Sequence, residues 1–272
     1  MKNIGYYNGK IAPLEEMTIP MNDRGCYFGD GVYETILVFN HQPAYIEEHL
    51  DRFYRSAEMI MISIPFSREE LKTILTDTAE KSDYRTKLLY WQVTRGTAGR
   101  IHTFPDVPAN LWITVTEGTL PDLRKKLRLI TVEDRRYLYC NIKTLNLLPN
   151  VLASEAARQA ECDEAVFVRN GHVTECSHSN IHILKDGTLY TAPADQQILS
   201  GIARKNLLKA CGQLDIPVVE EAFSCDDMMA ADEIIITSTT RICQTAAFIN
   251  GSAVGGRSPE IMEKLQKLLW IF

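Results

Sequence analysis

Five residues near the middle of the chain, Gly118-Thr119-Leu120-Pro121-Asp122, have turn composition and no hydrophobic period, while the stretches on either side are strongly periodic. This break constrains the fold more than any other feature. A chain of 272 residues interrupted there is long enough for two domains, each with its own core. We place an N-terminal α/β domain at 1–117, a linker at 118–122 and a C-terminal α/β domain at 123–272.

The first domain reads as a strand-rich layer with two helices. IGYYNGKIAP is a hairpin, with Asn8-Gly9 supplying the positive φ of a tight turn. A glycine-rich turn (Gly25, Gly29, Gly31) then opens into a strand, Val32 to Phe39. Glu47 and Glu48 start a helix, as acids at its positive end, and Leu50, Phe53, Ala57 and Ile60 recur at helical spacing. Pro65 ends that helix, and Ser67 with Glu70 forms a capping box for the next. LLYWQVTRG and ANLWITVTE are strands on either side of the loop TAGRIHTFPDVP.

The second half interleaves strands and helices. KLRLITVED, AVFVR, HVTEC, IHILK, TLYTAP, IPVVEEA and DEIIIT read as strands, with turns at Asn170-Gly171 and Asp186-Gly187. Helices are expected over Val151 to Ala160, over 202–211 and from about Pro259. The order lacks a strict βαβ rhythm, which argues against a doubly wound sheet. Neither GxGxxG nor GxxxxGK[ST] occurs, so nucleotide-binding loops are not expected. The formal charge of -6 offers no basic surface to nucleic acid. Seven cysteines without a CxxC pair, and no charged-then-apolar leader, point to a reduced, cytoplasmic protein without a metal site. No apolar run approaches a membrane span.

The residues that could carry chemistry begin with Lys143, placed at the end of a short strand among Ile142, Leu145, Leu147 and Leu148. A lysine in such company either snorkels to water or has its amine kept ready as a nucleophile. Glu175 closes another short strand. It is either an exposed strand-end acid or a partner for a protonated aromatic nitrogen. Ser177, His178 and Ser179 after it could simply cap a turn. Ser200-Gly201 opens a helix whose first N–H groups, on Ile202 and Ala203, suit an anion, as do the hydroxyls of Ser238 to Thr240. Arg52 is a surface arginine or a phosphate clamp, and Arg100 with His102 in a loop could aim two donors at a carboxylate. Tyr33 reads as core or as part of a site.

These segments follow one another as FGDGVYE, HLDR, VTRGTAGRIH, CNIK with TLNLL after it, VTECSHSN, LSGIAR and TSTT. In that order the chain resembles the fold type IV pyridoxal-phosphate enzymes over essentially its whole length, and among them the bacterial D-amino-acid aminotransferases. The lysine and acid segments mark the fold type, and the Arg-x-His pair marks the D-amino-acid branch.

The resemblance implies two α/β domains with pyridoxal 5'-phosphate in the cleft between them. The C-terminal one is a pseudo-barrel carrying Lys143 and Glu175. It implies that Lys143 bonds to the cofactor's aldehyde carbon and moves the Cα proton, and that Glu175 pairs with the ring nitrogen. Arg52, Ile202, Ala203 and Thr239 would hold the phosphate, Ser238 would lie beside it, and Leu199 would pack on the ring. Tyr33 would bind the substrate α-carboxylate, with Arg100 and His102 reaching over from the second subunit of a homodimer. D-Alanine and 2-oxoglutarate giving pyruvate and D-glutamate is the typical reaction. Three departures stand out: Ala203 where the family often has threonine, Cys176-Ser177-His178-Ser179 after the acid, and Pro149-Asn150 after the lysine loop. Rival readings are a branched-chain L-aminotransferase or a 4-amino-4-deoxychorismate lyase of the same fold, or a non-catalytic binding protein that has kept it.

Overall fold

The computed structural model describes residues 2–272. The chain forms two compact units, the first running up to Leu120 and taking in Ile142–Asn146, the second covering Pro121–Asn141 and Leu147–Phe272. Lys143 therefore belongs with the first unit, not with the second domain as the linear reading has it.

In the first unit the elements are β1 (Ile4–Tyr7), β2 (Lys10–Pro13), α1 (Arg24–Phe28), β3 (Gly31–Phe39), β4 (Gln42–Pro43), α2 (Ile46–Met59), α3 (Arg68–Glu80), β5 (Thr86–Thr94) and β6 (Asn110–Glu117). Its strands form a six-stranded sheet in the order β2-β1-β6-β5-β3-β4, antiparallel at every pairing. Asn8 and Gly9 take the positive φ values, 44° and 95°, that the β1–β2 hairpin needs. Leu50, Phe53 and Ala57 on α2, and Leu71 and Leu75 on α3, are buried against Ile36, Val38, Leu89, Trp91 and Ile113 of the sheet. The Ser67–Glu70 capping box forms at the start of α3.

The second unit contains β7 (Leu127–Glu133), α4 (Leu148–Gln159), β8 (Glu164–Arg169), β9 (His172–Cys176), β10 (Asn180–Lys185), β11 (Thr188–Thr191), α5 (Ile202–Gln213), β12 (Val218–Val219), α6 (Cys225–Ala230), β13 (Glu233–Thr237), β14 (Gln244–Ile249), β15 (Ser252–Ala253) and α7 (Pro259–Leu269). Its nine-stranded sheet runs β12-β11-β10-β13-β14-β7-β8-β9, with β15 added beside β14. Parallel pairings (β11–β12, β14–β7, β7–β8) sit among antiparallel ones, as expected of a chain without βαβ rhythm. The segment IPVVEEA shrinks to a two-residue pairing at Val218–Val219. Pro149 precedes the helix expected from Val151, yet α4 already includes it. It lies in the helix's first turn, where a missing N–H costs nothing and φ is already suitable. Among the described residues no helix is long and apolar enough to cross a membrane.

Candidate functional site

In the first unit the site is built around the strap Ile142–Asn146. It is not a strand: one isolated bridge, Thr144 to Val32, ties it to the start of β3. The Tyr33 N–H donates to the Lys143 carbonyl at 3.0 Å, and the Leu145 N–H to that of Gly31 at 3.1 Å. Such close approach requires glycine. A Cβ on Gly31 would stand 2.7 Å from Leu145 Cδ1, and one on Gly29 would stand 2.8 Å from Asn146 Oδ1. Asn146 Nδ2 in turn donates to the Gly29 carbonyl at 3.1 Å. The glycines of FGDG thus seat the lysine strap.

Lys143 is half-buried, with Nζ 4.3 Å from the centre of the Tyr33 ring. That ring stacks on Tyr90 at 5.5 Å. The Lys143 N–H donates to Ser56 Oγ at 3.3 Å. Ser56 belongs to a second, polar stripe of α2, His49, Arg52 and Ser56, one residue behind the apolar stripe Leu50, Phe53 and Ala57, and all six are buried. The His49–Arg52 turn of that polar stripe grips Glu34, which is wholly inaccessible on β3. Arg52 Nε donates to Glu34 Oε1 at 2.6 Å and Nη2 to Oε2 at 2.9 Å, and His49 Nδ1 lies 2.6 Å from Oε2. Burial pushes the Glu34 carboxyl up, but Arg52 and His49 overcome it and hold the group well below the usual carboxylate range. Burial pushes His49 below its ordinary value; Glu34 opposes this, while the charges of Arg52 and Lys143 add to it.

Sequence reasoning singled out Arg52 but not Glu34, His49 or Ser56. A signal existed: Val32, Glu34, Ile36 and Val38 alternate onto the buried face of β3, so an acid there requires a buried partner.

Elsewhere in the first unit, Arg100 and His102 lie exposed in the loop between β5 and β6. Both meet the Phe28 ring, the guanidinium carbon at 5.3 Å and the imidazole at 5.3 Å from its centre.

In the second unit Glu175, at the end of β9, is buried and fully engaged. Its Oε1 accepts from Arg136 Nη1; its Oε2 accepts from Asn180 Nδ2 and from the Leu199 N–H, both at 3.0 Å. Arg136 is also held by Asp134, by Thr174 Oγ1 and by the Gln197 carbonyl, and lies 4.4 Å over the Phe167 ring. Burial disfavours its charge, but Asp134 and Glu175 outweigh this and raise its pKa. Sequence reasoning missed Arg136, which sits in an irregular segment with no period to reveal a buried side.

Asn180 connects the acid to the start of α5. Its Nδ2 also donates to the Leu199 carbonyl at 2.9 Å, and its Oδ1 lies where a Cβ on Gly201 would fall. Gly201 is the N-cap of α5 and supplies no side-chain bond to the first-turn N–H groups, among them those of Ile202 and Ala203. The Ser238 hydroxyl, after β13, accepts the Arg241 N–H at 3.2 Å, and Thr239 follows in the same turn. The loop after the acid is tied to a buried carboxylate, Glu164, which accepts the His178 N–H at 2.9 Å and Ser179 Oγ at 3.0 Å. Asn150, uninterpreted from sequence, donates Nδ2 to the Ser177 carbonyl at 2.8 Å and steadies that loop from α4.

The structure thus gathers Tyr33, Arg52 and Lys143 in the first unit, and Glu175, Leu199, Ile202 and Ala203 in the second. A primary amine, a carboxylate pinned for hydrogen bonding and an uncapped twelve-residue helix are the donor set that an aldehyde, a protonated ring nitrogen and a phosphate require. No group of His, Cys, Asp and Glu suited to a metal ion occurs among the described residues.

Comparison with known proteins points the same way. The family described as amino-transferase class IV matches residues 31–247. A D-alanine aminotransferase of Listeria monocytogenes is 40% identical over 267 residues, covering 96% of this chain and 92% of the relative. One from Bacillus licheniformis is 37% identical, covering 95% and 92%. Among solved structures, a T.th. branched-chain amino acid aminotransferase with pyridoxamine 5'-phosphate superposes with a TM-score of 0.90 at 25% identity, covering 99% of this chain and 93% of that one.

Proposed function

The chain belongs to the class IV aminotransferases, and from that premise we propose that it transfers the amino group of a D-amino acid, typically D-alanine, to a 2-oxo acid. With 2-oxoglutarate as acceptor the products are pyruvate and D-glutamate. The observation that carries this reading is 37–40% identity, over nearly the whole chain, to relatives named D-alanine aminotransferase. Pyridoxal 5'-phosphate, when bound, supplies the electron sink that makes a Cα proton removable. The chain supplies the placement and the proton handling.

Lys143, presented by its strap over Tyr33, provides the amine and carries the proton to and from the substrate Cα. Glu175, pinned by Arg136, Asn180 and the Leu199 N–H, holds a proton on the ring nitrogen. The phosphate is held by Arg52, which Glu34 orients, by the N–H groups of Ile202 and Ala203, and by Ser238 and Thr239. Leu199 packs on the ring. Ala203 offers only its backbone donor, so retention is weaker than a threonine there would give. Tyr33, Arg100 and His102 bind the α-carboxylate.

Arg100 and His102 act across the interface of a homodimer. In the first unit their loop exposes Ile101 (65%) and Phe104 (54%), apolar side chains suited to contact with a second copy. Light scattering on the holoenzyme is expected to give twice the chain mass. All seven cysteines are free, which fits the reducing cytoplasm.

The fold likeness to a branched-chain enzyme keeps an L-specific reading in view. Incubation with 2-oxoglutarate and either D- or L-alanine decides between them. Pyruvate from D-alanine is expected, and pyruvate from the L-isomer alone overturns the proposal.

A further inference from the structure

We propose that Arg24, Phe28, Asp30 and Arg95 are positioning residues that aim Arg100 and His102, and thereby set the affinity for the substrate carboxylate. The inference rests on the reading that this pair binds the carboxylate. All the contacts involved lie within the first unit.

Between Thr94, where β5 ends, and Asn110, where β6 begins, the chain has no helix or strand of its own, and most of its side chains from Arg100 onward are exposed. A loop of that kind is ordinarily mobile, which would scatter two donors that must converge on one carboxylate. Here the backbone is gripped on both sides of His102. Arg24, itself only 3% exposed, donates Nη1 to the Ile101 carbonyl at 2.6 Å and to the Thr103 carbonyl at 3.4 Å. Its Nε is anchored on Asp30 at 2.8 Å. Arg95 takes the same carboxylate, with Nε 2.9 Å from Asp30 Oδ2, and lays its guanidinium on the Phe104 ring at 3.6 Å. Two arginines sharing one acid thus clamp three positions around His102 through directional bonds and a cation–π contact.

Phe28 completes the platform. One ring receives the guanidinium of Arg100 at 5.3 Å, the imidazole of His102 at 5.3 Å and the guanidinium of Arg24 at 4.8 Å. The negative face of an aromatic ring favours cations above it, so Phe28 gives Arg100 a preferred resting direction. The ends of the loop are pinched together as well. The Arg24 N–H donates to the Gly96 carbonyl at 3.0 Å, and Gly96 at φ 109° lies so close to the Pro108 carbonyl that no Cβ would fit. Asp23 ties the base of the loop by accepting from Thr94 Oγ1 at 2.9 Å and Asn110 Nδ2 at 2.7 Å. Asp30 lies on the turn that enters β3, two residues after Phe28 and three before Tyr33. The clamp on the loop is therefore founded on the entry to β3.

The test is a set of holoenzyme variants compared by KM and kcat for D-alanine, by cofactor absorbance and by amide hydrogen exchange over 100–104. Arg24→Met is expected to raise KM about tenfold, the equivalent of one charge-assisted bond, with kcat little changed, and to speed exchange in the loop. Arg24→Lys, which keeps the charge but not the fork, is expected to fall between that variant and wild type. Phe28→Leu should raise KM in the same sense and serves if Arg24→Met does not fold. A purely structural clamp would lower the melting temperature and leave KM alone; that result overturns the proposal. Arg100→Ala separates the two levels. If it leaves KM unchanged, the carboxylate reading itself fails. If it raises KM while Arg24→Met and Phe28→Leu do not, only the positioning role is lost.

Discussion

Glu34 and Glu175 are both strand carboxylates withdrawn from water and met by an arginine, yet the two pairs are built in opposite senses. Glu34 is wholly inaccessible and takes three contacts from one face of α2, one from His49 Nδ1 and two from Arg52, through Nε and Nη2. There the acid is the anchor and the arginine is the group held in place. Glu175 keeps 7% of its surface, and its partners come from three separate segments, Arg136 before the lysine strap, Asn180 on β10 and the backbone at Leu199. There the arginine is the anchor, itself secured by Asp134, and the acid is the group held in place. A buried ion pair thus fixes the direction of its members in each unit, with Glu34 further held by His49 and Arg136 by Asp134.

The contrast can be broken by exchanging each acid for its amide. Glu34→Gln removes the carboxylate that meets two Arg52 nitrogens, and should lower stability by about 3–5 kcal/mol, measured by urea unfolding. The sign with pH follows from the depressed carboxyl. Below the ordinary value of 4.5 the unfolded chain binds more protons at this site than the folded one, so its contribution is complete above that pH and is lost as pH falls through the folded value. The gap between wild type and Glu34→Gln should therefore be widest near neutrality and narrow below pH 4.5. Equal gaps at pH 7 and at low pH would remove the ion pair as the cause.

Glu175→Gln should behave otherwise. Arg136 retains Asp134, Thr174 and the Gln197 carbonyl, and the amide oxygen can still accept from Asn180 and Leu199, so the loss of stability should be smaller, about 1.5–3 kcal/mol. Turnover of D-alanine should fall on the order of 10²-fold or more, because a neutral amide holds the ring proton poorly. A variant as unstable as Glu34→Gln but still active would invert the comparison. The smallest effect is expected at the phosphate. Ala203→Thr adds one hydroxyl at the uncapped start of α5 and should tighten cofactor binding about tenfold, the value of one hydrogen bond to a charged group, as read by equilibrium dialysis. No change, or looser binding, would show that the threonine hydroxyl does not reach the anion.

The same comparison explains how much could be read from the chain alone. Sequence reasoning found one member of each pair, Arg52 and Glu175, and missed the other. Motif order carries residues that touch small molecules; it is silent about a partner 18 or 39 positions away on another element. Glu34 was nonetheless legible as an acid on the apolar side of an alternating strand, and His49, Arg52 and Ser56 as a polar stripe beside the apolar one. Arg136 was not, since its segment is irregular. The lysine segment misled in a different way. Its apolar residues suggested a strand, but two glycines in FGDG let it lie along β3 through a single bridge, so Ile142–Asn146 joins the first unit though the sequence places it well into the second. The helix expected from Val151 begins three residues earlier, at Leu148, with Pro149 in its first turn.

The proposed chemistry depends on the amine that the strap presents over Tyr33. Borohydride reduction of the protein saturated with pyridoxal 5'-phosphate, followed by peptide mapping, tests it directly. A single phosphopyridoxyl group on Lys143 is the expected result. Label on a different lysine, with Lys143 unmodified, would contradict it.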